Sequence, residues 1–164
     1  MEKKFFLGLI HYWPIEGSTI DVIGQKNMLI RSNGQLTTDR NGNPNSALCL
    51  NSGFASVPPG VYFDPATGGF TFMAWVKVNS FNIWQRIFDF GNGGNNHNVL
   101  LAFPNSYAKL DTYNGANGRG FEFTYNIHEN VWFHIAVSVS AGVSTFYLDG
   151  KKSGGGTGEF NFLF

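Results

Sequence analysis

The stretch Phe70–Phe90, FTFMAWVKVNSFNIWQRIFDF, decides the fold. Two dense apolar runs flank a short polar stretch, end on Asp89-Phe90 and open into the polar loop GNGGNNHN. In Phe70–Val78 only Thr71 and Lys77 are polar among the large side chains, which reads as a strand buried on both faces. Trp75 is therefore expected to pack inside rather than to serve as a ligand platform. Ile83–Phe90 reads as the hairpin partner or near neighbour of that strand.

Working outward, Val131–Ser140 alternates with period two. Val131, Phe133, Ile135, Val137 and Val139 share one face, while Trp132, His134, Ala136, Ser138 and Ser140 share the other, the pattern of a half-buried strand. Phe121, Phe123 and Tyr125 repeat it against Glu122 and Thr124. Ser144–Leu148 runs into Asp149-Gly150, a two-residue hairpin signal. His11–Ile15, Met28–Ile30, Ala47–Leu50, Phe54–Val57, Asn98–Phe103 and Lys109–Tyr113 are further strand candidates. No helical periodicity outlasts one turn. Short strands at intervals of about 8–12 residues, separated by turn signals, predict an all-β antiparallel sandwich or jelly roll. At 164 residues the chain reads as a single domain, 1–164.

Charged residues are 13% of the chain and aromatics 16%, a balance that suits a β-rich globular core and argues against disorder. The 11 basic and 11 acidic residues cancel, and no basic run exceeds Lys3-Lys4 and Lys151-Lys152. Nucleic acid and anionic membrane are therefore set aside as partners. No stretch is long enough to span a bilayer. In Met1–Ile10 two lysines precede FFLGLI, too short for a signal-peptide core, so the segment reads as an edge strand or tether. Cys49 is the single cysteine, which excludes an intrachain disulfide; between Leu48 and Leu50 it reads as a small buried hydrophobe.

No catalytic constellation is found. The glutamates do not form an alternating acid run on one strand, no G-x-S-x-G elbow is present, and the four histidines lack metal-site spacing. His134 is expected to face outward beside Trp132 and Ser138. A calcium site is readable in Thr38–Ser46, TDRNGNPNS, where Asp39, Asn41 and Asn43 offer oxygen ligands, although Asn and Gly there equally provide turn geometry. A second constellation combines Asp89, Asn92, Asn96 and His97 with Tyr113, Asn117 and Arg119 from another loop. Amides and an acid can fix sugar hydroxyls while an aromatic ring stacks on the C–H face of a sugar. Ordinary Asn/Gly loop chemistry is the competing reading.

The order GNPNSALCLNSGFASVPP, FTFMAWVKV, NVWFHIAVSVSAGVSTFYLDGKK resembles the laminin-G-like, concanavalin-A-like lectin/glucanase jelly-roll domains from Tyr12 to Lys152. The carriers are Phe70-Thr71-Phe72-Met73-Ala74-Trp75-Val76, Trp132-Phe133-His134-Ile135-Ala136-Val137 and Tyr147-Leu148-Asp149-Gly150. The resemblance implies two antiparallel sheets face to face, one of them concave. It implies a non-catalytic binding or cell-adhesion module, extracellular or at the cell surface, with a glycan or glycosylated protein as partner. It also implies calcium at Asp39 with Asn41 and Asn43. One departure stands out: the family's closing strand has no counterpart in Glu159–Phe164. The expected open sheet edge would be filled by Lys3–Ile10 or by strand addition from another chain. That leaves an alternative function, a structural or assembly domain forming homo-oligomers through this edge.

Overall fold

Twelve strands form among the described residues, and no helix does. The computed structural model describes residues 8–60, 62, 69–91, 98–114, 117–123 and 127–157, leaving aside the side chains of Asn114, Asn117 and Arg119. In chain order the strands are β1 (Leu29–Ser32), β2 (Gln35–Thr37), β3 (Ala47–Cys49), β4 (Gly53–Ser56), β5 (Gly69–Lys77) and β6 (Gln85–Phe90). They continue with β7 (Asn98–Phe103), β8 (Ala108–Asn114), β9 (Asn117–Phe123), β10 (Trp132–Ser140), β11 (Val143–Leu148) and β12 (Lys151–Thr157). The chain divides into two compact units, Met1–Tyr62 and Phe63–Phe164.

The second unit is a sandwich of two antiparallel four-stranded sheets, ordered β12-β11-β10-β5 and β6-β7-β8-β9. Its core follows from alternation. Phe133, Ile135, Val137 and Val139 of β10 are buried, and Val99, Leu101, Phe103, Leu110 and Phe123 of the other sheet join them in one cluster. Phenylalanines tie the sheets together. Phe123 of β9 stacks on Phe146 of β11 at 4.4 Å. Phe72 of β5 meets Phe88 of β6 at 4.5 Å, and Phe103 of β7 meets Phe133 of β10 edge-on at 6.1 Å. Burial of each such ring contributes about 1.5–3 kcal/mol. The glycines of β12 leave room for the rings of β9: a Cβ on Gly154 would fall 2.9 Å from the Phe123 ring, and one on Gly156 2.0 Å from the Phe121 ring. The Asp149-Gly150 turn closes β11 onto β12 with φ of 49° and 76°, the double positive φ that a type I′ hairpin demands.

Five expectations need correction. Phe70–Val78 is not buried on both faces: Phe70, Phe72, Ala74 and Val76 pack on the core, whereas Met73 and Trp75 point outward, 55% and 47% exposed. The strand buried on both faces is β7, whose six residues are all buried. Ile83–Phe90 becomes a strand only from Gln85 and pairs with β7, while β5 pairs with β10. The connection between them crosses from one sheet to the other, because Val78 and Phe81 drop into the core. Val131 lies before β10 and is exposed, and His11–Ile15 forms no strand. Cys49 is only half-buried.

In the first unit β1 pairs with β4 and β2 with β3. The segment before β1 is organised by Asp21, which is buried. Its Oδ1 accepts the N–H groups of Tyr12, Ile23 and Gly24 at 2.9–3.1 Å. Its Oδ2 accepts the Lys26 N–H at 3.0 Å and His11 Nδ1 at 2.6 Å. Burial alone would raise this carboxyl, but these bonds outweigh it and hold Asp21 far below the usual carboxylate range. An ionised Asp21 accepts only, so His11 Nδ1 carries the proton. His11 in turn lies between the rings of Trp13 and Tyr62, at 5.3 and 4.8 Å. Four backbone donors of this segment, those of Tyr12, Ile23, Gly24 and Lys26, go to one carboxylate instead of a strand ladder. Residues 1–7 of the expected N-terminal edge strand lie outside the described residues, and Gly8–Ile10 carry no strand.

Candidate functional site

Register places polar side chains in rows across the outward face of β6–β9. Asp89, Leu100, Asp111 and Gly120 form one row, Arg86, Ala102, Lys109 and Glu122 the next, and Asn98 faces Tyr113 and Gly118 in a third. The sequence KLDTY explains half of this: Lys109, Asp111 and Tyr113 alternate with Leu110 and Thr112. A slip of register between Arg86 and Phe88 re-aims β6, and its consequence is that Arg86 and Asp89 form an i,i+3 ion pair.

The groups are linked. Asn98 Nδ2 donates to Asp89 Oδ1 at 3.2 Å. Lys109 Nζ sits 3.2 Å from Asp111 Oδ1 and 5.3 Å over the ring of Trp84, which is 42% exposed. Asp111 and Asn98 are each 2% exposed. Asp111 Oδ2 and Asn98 Oδ1 are buried acceptors that take no hydrogen bond. Burial raises the Asp111 carboxyl, the charge of Glu122 adds to this, and Lys109 opposes it. The floor is low. A Cβ on Gly120 would stand 2.0 Å from Asp111 Oδ1, and one on Gly118 would stand 2.5 Å from the Tyr113 ring. At about 3.4 Å per residue, Lys109 to Tyr113 spans about 14 Å along the strand. The result is a shallow polar strip with an aromatic ring toward either end.

Of the residues singled out from sequence, Asp89 and Tyr113 share this face. Asn92, Asn96 and His97 lie outside the described residues. Asn117 and Arg119 occupy β9 opposite Asn114 and Thr112, and only their backbone is described. Sequence reasoning missed Trp84, Arg86, Lys109 and Asp111. The alternation of KLDTY was the available signal for Lys109 and Asp111, but an isolated three-residue period says nothing about burial.

The Asp39 loop is elsewhere, in the first unit. Asp39 Oδ1 accepts the N–H groups of Asn41 and Asn43, each at 2.8 Å, and Oδ2 accepts Asn43 Nδ2 at 3.0 Å. The Asn43 amide leads the interactions that lower the Asp39 carboxyl. Asp39, Asn41 and Asn43 are thus brought together, with the carboxylate already serving as the clamp of its own loop. Among the described residues no three His, Cys, Asp or Glu side chains converge as a metal group.

A laminin-G family model of the concanavalin A-like lectin/glucanases superfamily matches residues 50–163. The chain belongs to this family. Similar solved structures include a candidate carbohydrate-binding protein from Bacteroides ovatus ATCC 8483, with 18% identity and a TM-score of 0.47. That match covers 80% of this chain and 32% of the other, so the chain spans about a third of that protein. Another is an S-layer domain-containing protein from Clostridium thermocellum ATCC 27405, with 23% identity and a TM-score of 0.48, covering 94% of this chain and 74% of that one. No curated protein matches the chain. No helix among the described residues is long and apolar enough to cross a membrane.

Proposed function

We propose that the chain is a non-catalytic carbohydrate-binding module, and that the outward face of β6–β9 receives a neutral saccharide. The supporting observation is the strip between Trp84 and Tyr113, where Asp89 and Lys109 offer an acceptor and a donor beside the buried Asn98 and Asp111. Asp111 Oδ2 and Asn98 Oδ1 are closed off from solvent, so the groups that meet the saccharide are Trp84, Asp89, Lys109 and Tyr113. Membership of the lectin/glucanases superfamily is consistent with this reading. A location outside the cell or at its surface goes with it. The test is a glycan array followed by titration with Tyr113→Ala and Asp89→Asn. Each substitution should weaken the selected oligosaccharide about tenfold, roughly 1.4 kcal/mol, with no product formed. Hydrolysis of any array glycan overturns the non-catalytic assignment, and unaltered affinity in both variants overturns the site.

Calcium at Asp39, with Asn41 and Asn43, is a separate proposal supported by the oxygen-rich loop and opposed by the three N–H donors already on the carboxylate. A calcium-dependent rise in Tm that Asp39→Ala abolishes supports the ion. An unchanged Tm leaves Asp39 as a loop clamp.

A further inference from the structure

One connection on the outward face of β6–β9 crosses a whole strand. Trp84 immediately precedes β6 and Lys109 lies on β8, with β7 between them, about 10 Å at two strand spacings. They meet because the intervening residue is small: Lys109 pairs with Ala102, whose methyl is fully buried. Lys109 Nζ comes to 5.3 Å over the Trp84 ring. The same ammonium lies 3.2 Å from Asp111 Oδ1. Gly120 is what lets both side chains lie there, since a Cβ would fall 2.0 Å from Asp111 Oδ1 and 2.5 Å from Lys109 Cε.

The two ends of this chain of contacts differ. Asp111 is buried, its ion-pair partner is Lys109, and its Oδ2 takes no hydrogen bond. Trp84 is exposed and has a left-handed φ of 61°, a conformation that a bulky residue keeps only where its surroundings hold it. Phe81 packs edge-on against Phe103 at 6.1 Å, and Gln85 Nε2 donates to the Ser80 carbonyl at 2.9 Å. These contacts hold the loop, whereas Lys109 meets the indole itself. The other ionisable groups of the face are few. Glu122 stands opposite Lys109 on β9, and Arg119 of the same strand stands opposite Thr112. Arg86 and Asp89 pair with each other on β6, Tyr113 lies two residues along β8, and β7 carries no titratable side chain. None of the four strands contains a histidine.

We propose that Asp111 is a positioning residue: when ionised it holds Lys109 over Trp84, so that pH sets the aromatic end of the strip. Burial, with the charge of Glu122, lifts the Asp111 carboxyl above its ordinary value, and Lys109 opposes this. Above the folded value the carboxylate is charged and the ammonium is held. As pH falls through that value the charge is lost, and Lys109 is released from Asp111 and from its place over the indole. The role accounts for a buried carboxylate that an apolar residue would replace at no loss of stability. Control of saccharide binding by Asp111 rests on the reading of this face given above, in which Trp84 and Lys109 meet the ligand. The positioning of Trp84 does not rest on it.

The indole N–H resonance of Trp84, assigned by its loss in Trp84→Phe and followed without ligand from pH 3 to pH 8, tests the positioning. In the wild-type chain it should move through one midpoint above about 3.9, the ordinary aspartate value. It should stay still in Asp111→Asn, which cannot ionise, and in Lys109→Gln, which has no cation to place. A wild-type resonance that does not move overturns the proposal. Equal movement in Asp111→Asn also overturns it, because the titration then belongs to Glu122 or Asp89. The wild-type titration needs neither a variant to fold nor a ligand to bind, so it decides the positioning even where the saccharide reading fails. The second measurement is affinity for the oligosaccharide that a glycan array selects. Wild-type affinity should fall about two- to fivefold as pH drops through the Trp84 midpoint, the worth of an exposed cation–π contact. Asp111→Asn should hold the lower affinity at every pH. An equal fall in wild type and Asp111→Asn overturns the control of binding by Asp111.

Discussion

Asp21 and Asp111 are both buried carboxylates, and their surroundings push them in opposite directions. Asp21 is held low by five hydrogen bonds, so its folded pKa lies below the unfolded value of about 3.9. Its contribution to stability is complete above that value and is lost as pH falls through the folded one. Asp21→Asn puts an NH₂ where only acceptors are wanted. It should cost about 3 kcal/mol or more in urea unfolding at pH 7, with amide exchange accelerated across residues 11–27. Asp111 behaves oppositely. Burial raises its folded pKa, so the native state binds the proton more tightly than the unfolded chain. The stability linked to Asp111 is greatest at low pH and falls as pH rises from the unfolded value through the folded one. Asp111→Asn removes that dependence. The difference in urea stability between variant and wild type, followed from pH 3 to pH 8, should shift toward the variant with rising pH. A constant difference would show that Asp111 is not raised.

At the scale of elements, alternation made β10 legible and contiguity misled at β5. Phe133, Ile135, Val137 and Val139 stand out because Ser138 and His134 interrupt them. Phe70–Val76 offers no such contrast, since Met73, Trp75 and Ala74 look alike in hydrophobicity although two point outward and one inward. The strand β12 was invisible because its pairing rests on glycines, whose value is the room they leave for Phe121 and Phe123. Asp21 could not be ranked above other aspartates, because four of its five donors are backbone groups that carry no sequence signature. Two substitutions test the element picture. Phe146→Ala should cost about 3–5 kcal/mol, because the ring is fully buried and stacked on Phe123. Trp75→Ala should change stability by less than about 1 kcal/mol, which urea midpoints measured side by side will distinguish.

On the scale of the whole molecule, the sequence motifs sufficed for the family and the sandwich, while the site emerged from pairing. Asp89 and Tyr113 were found from composition of loops, yet Trp84, Lys109 and Asp111 join them only through the register of β6, β7 and β8. The central claim is that the outward face of β6–β9 holds a neutral saccharide. The most direct measurement is an amide NMR titration with the oligosaccharide that a glycan array selects. Saturable shifts are expected at Leu100, Lys109, Asp111, Tyr113 and Gly120, with β5 and β10 unaffected. Shifts confined to the Trp75–His134 face, or to the Asp39 loop, would contradict it.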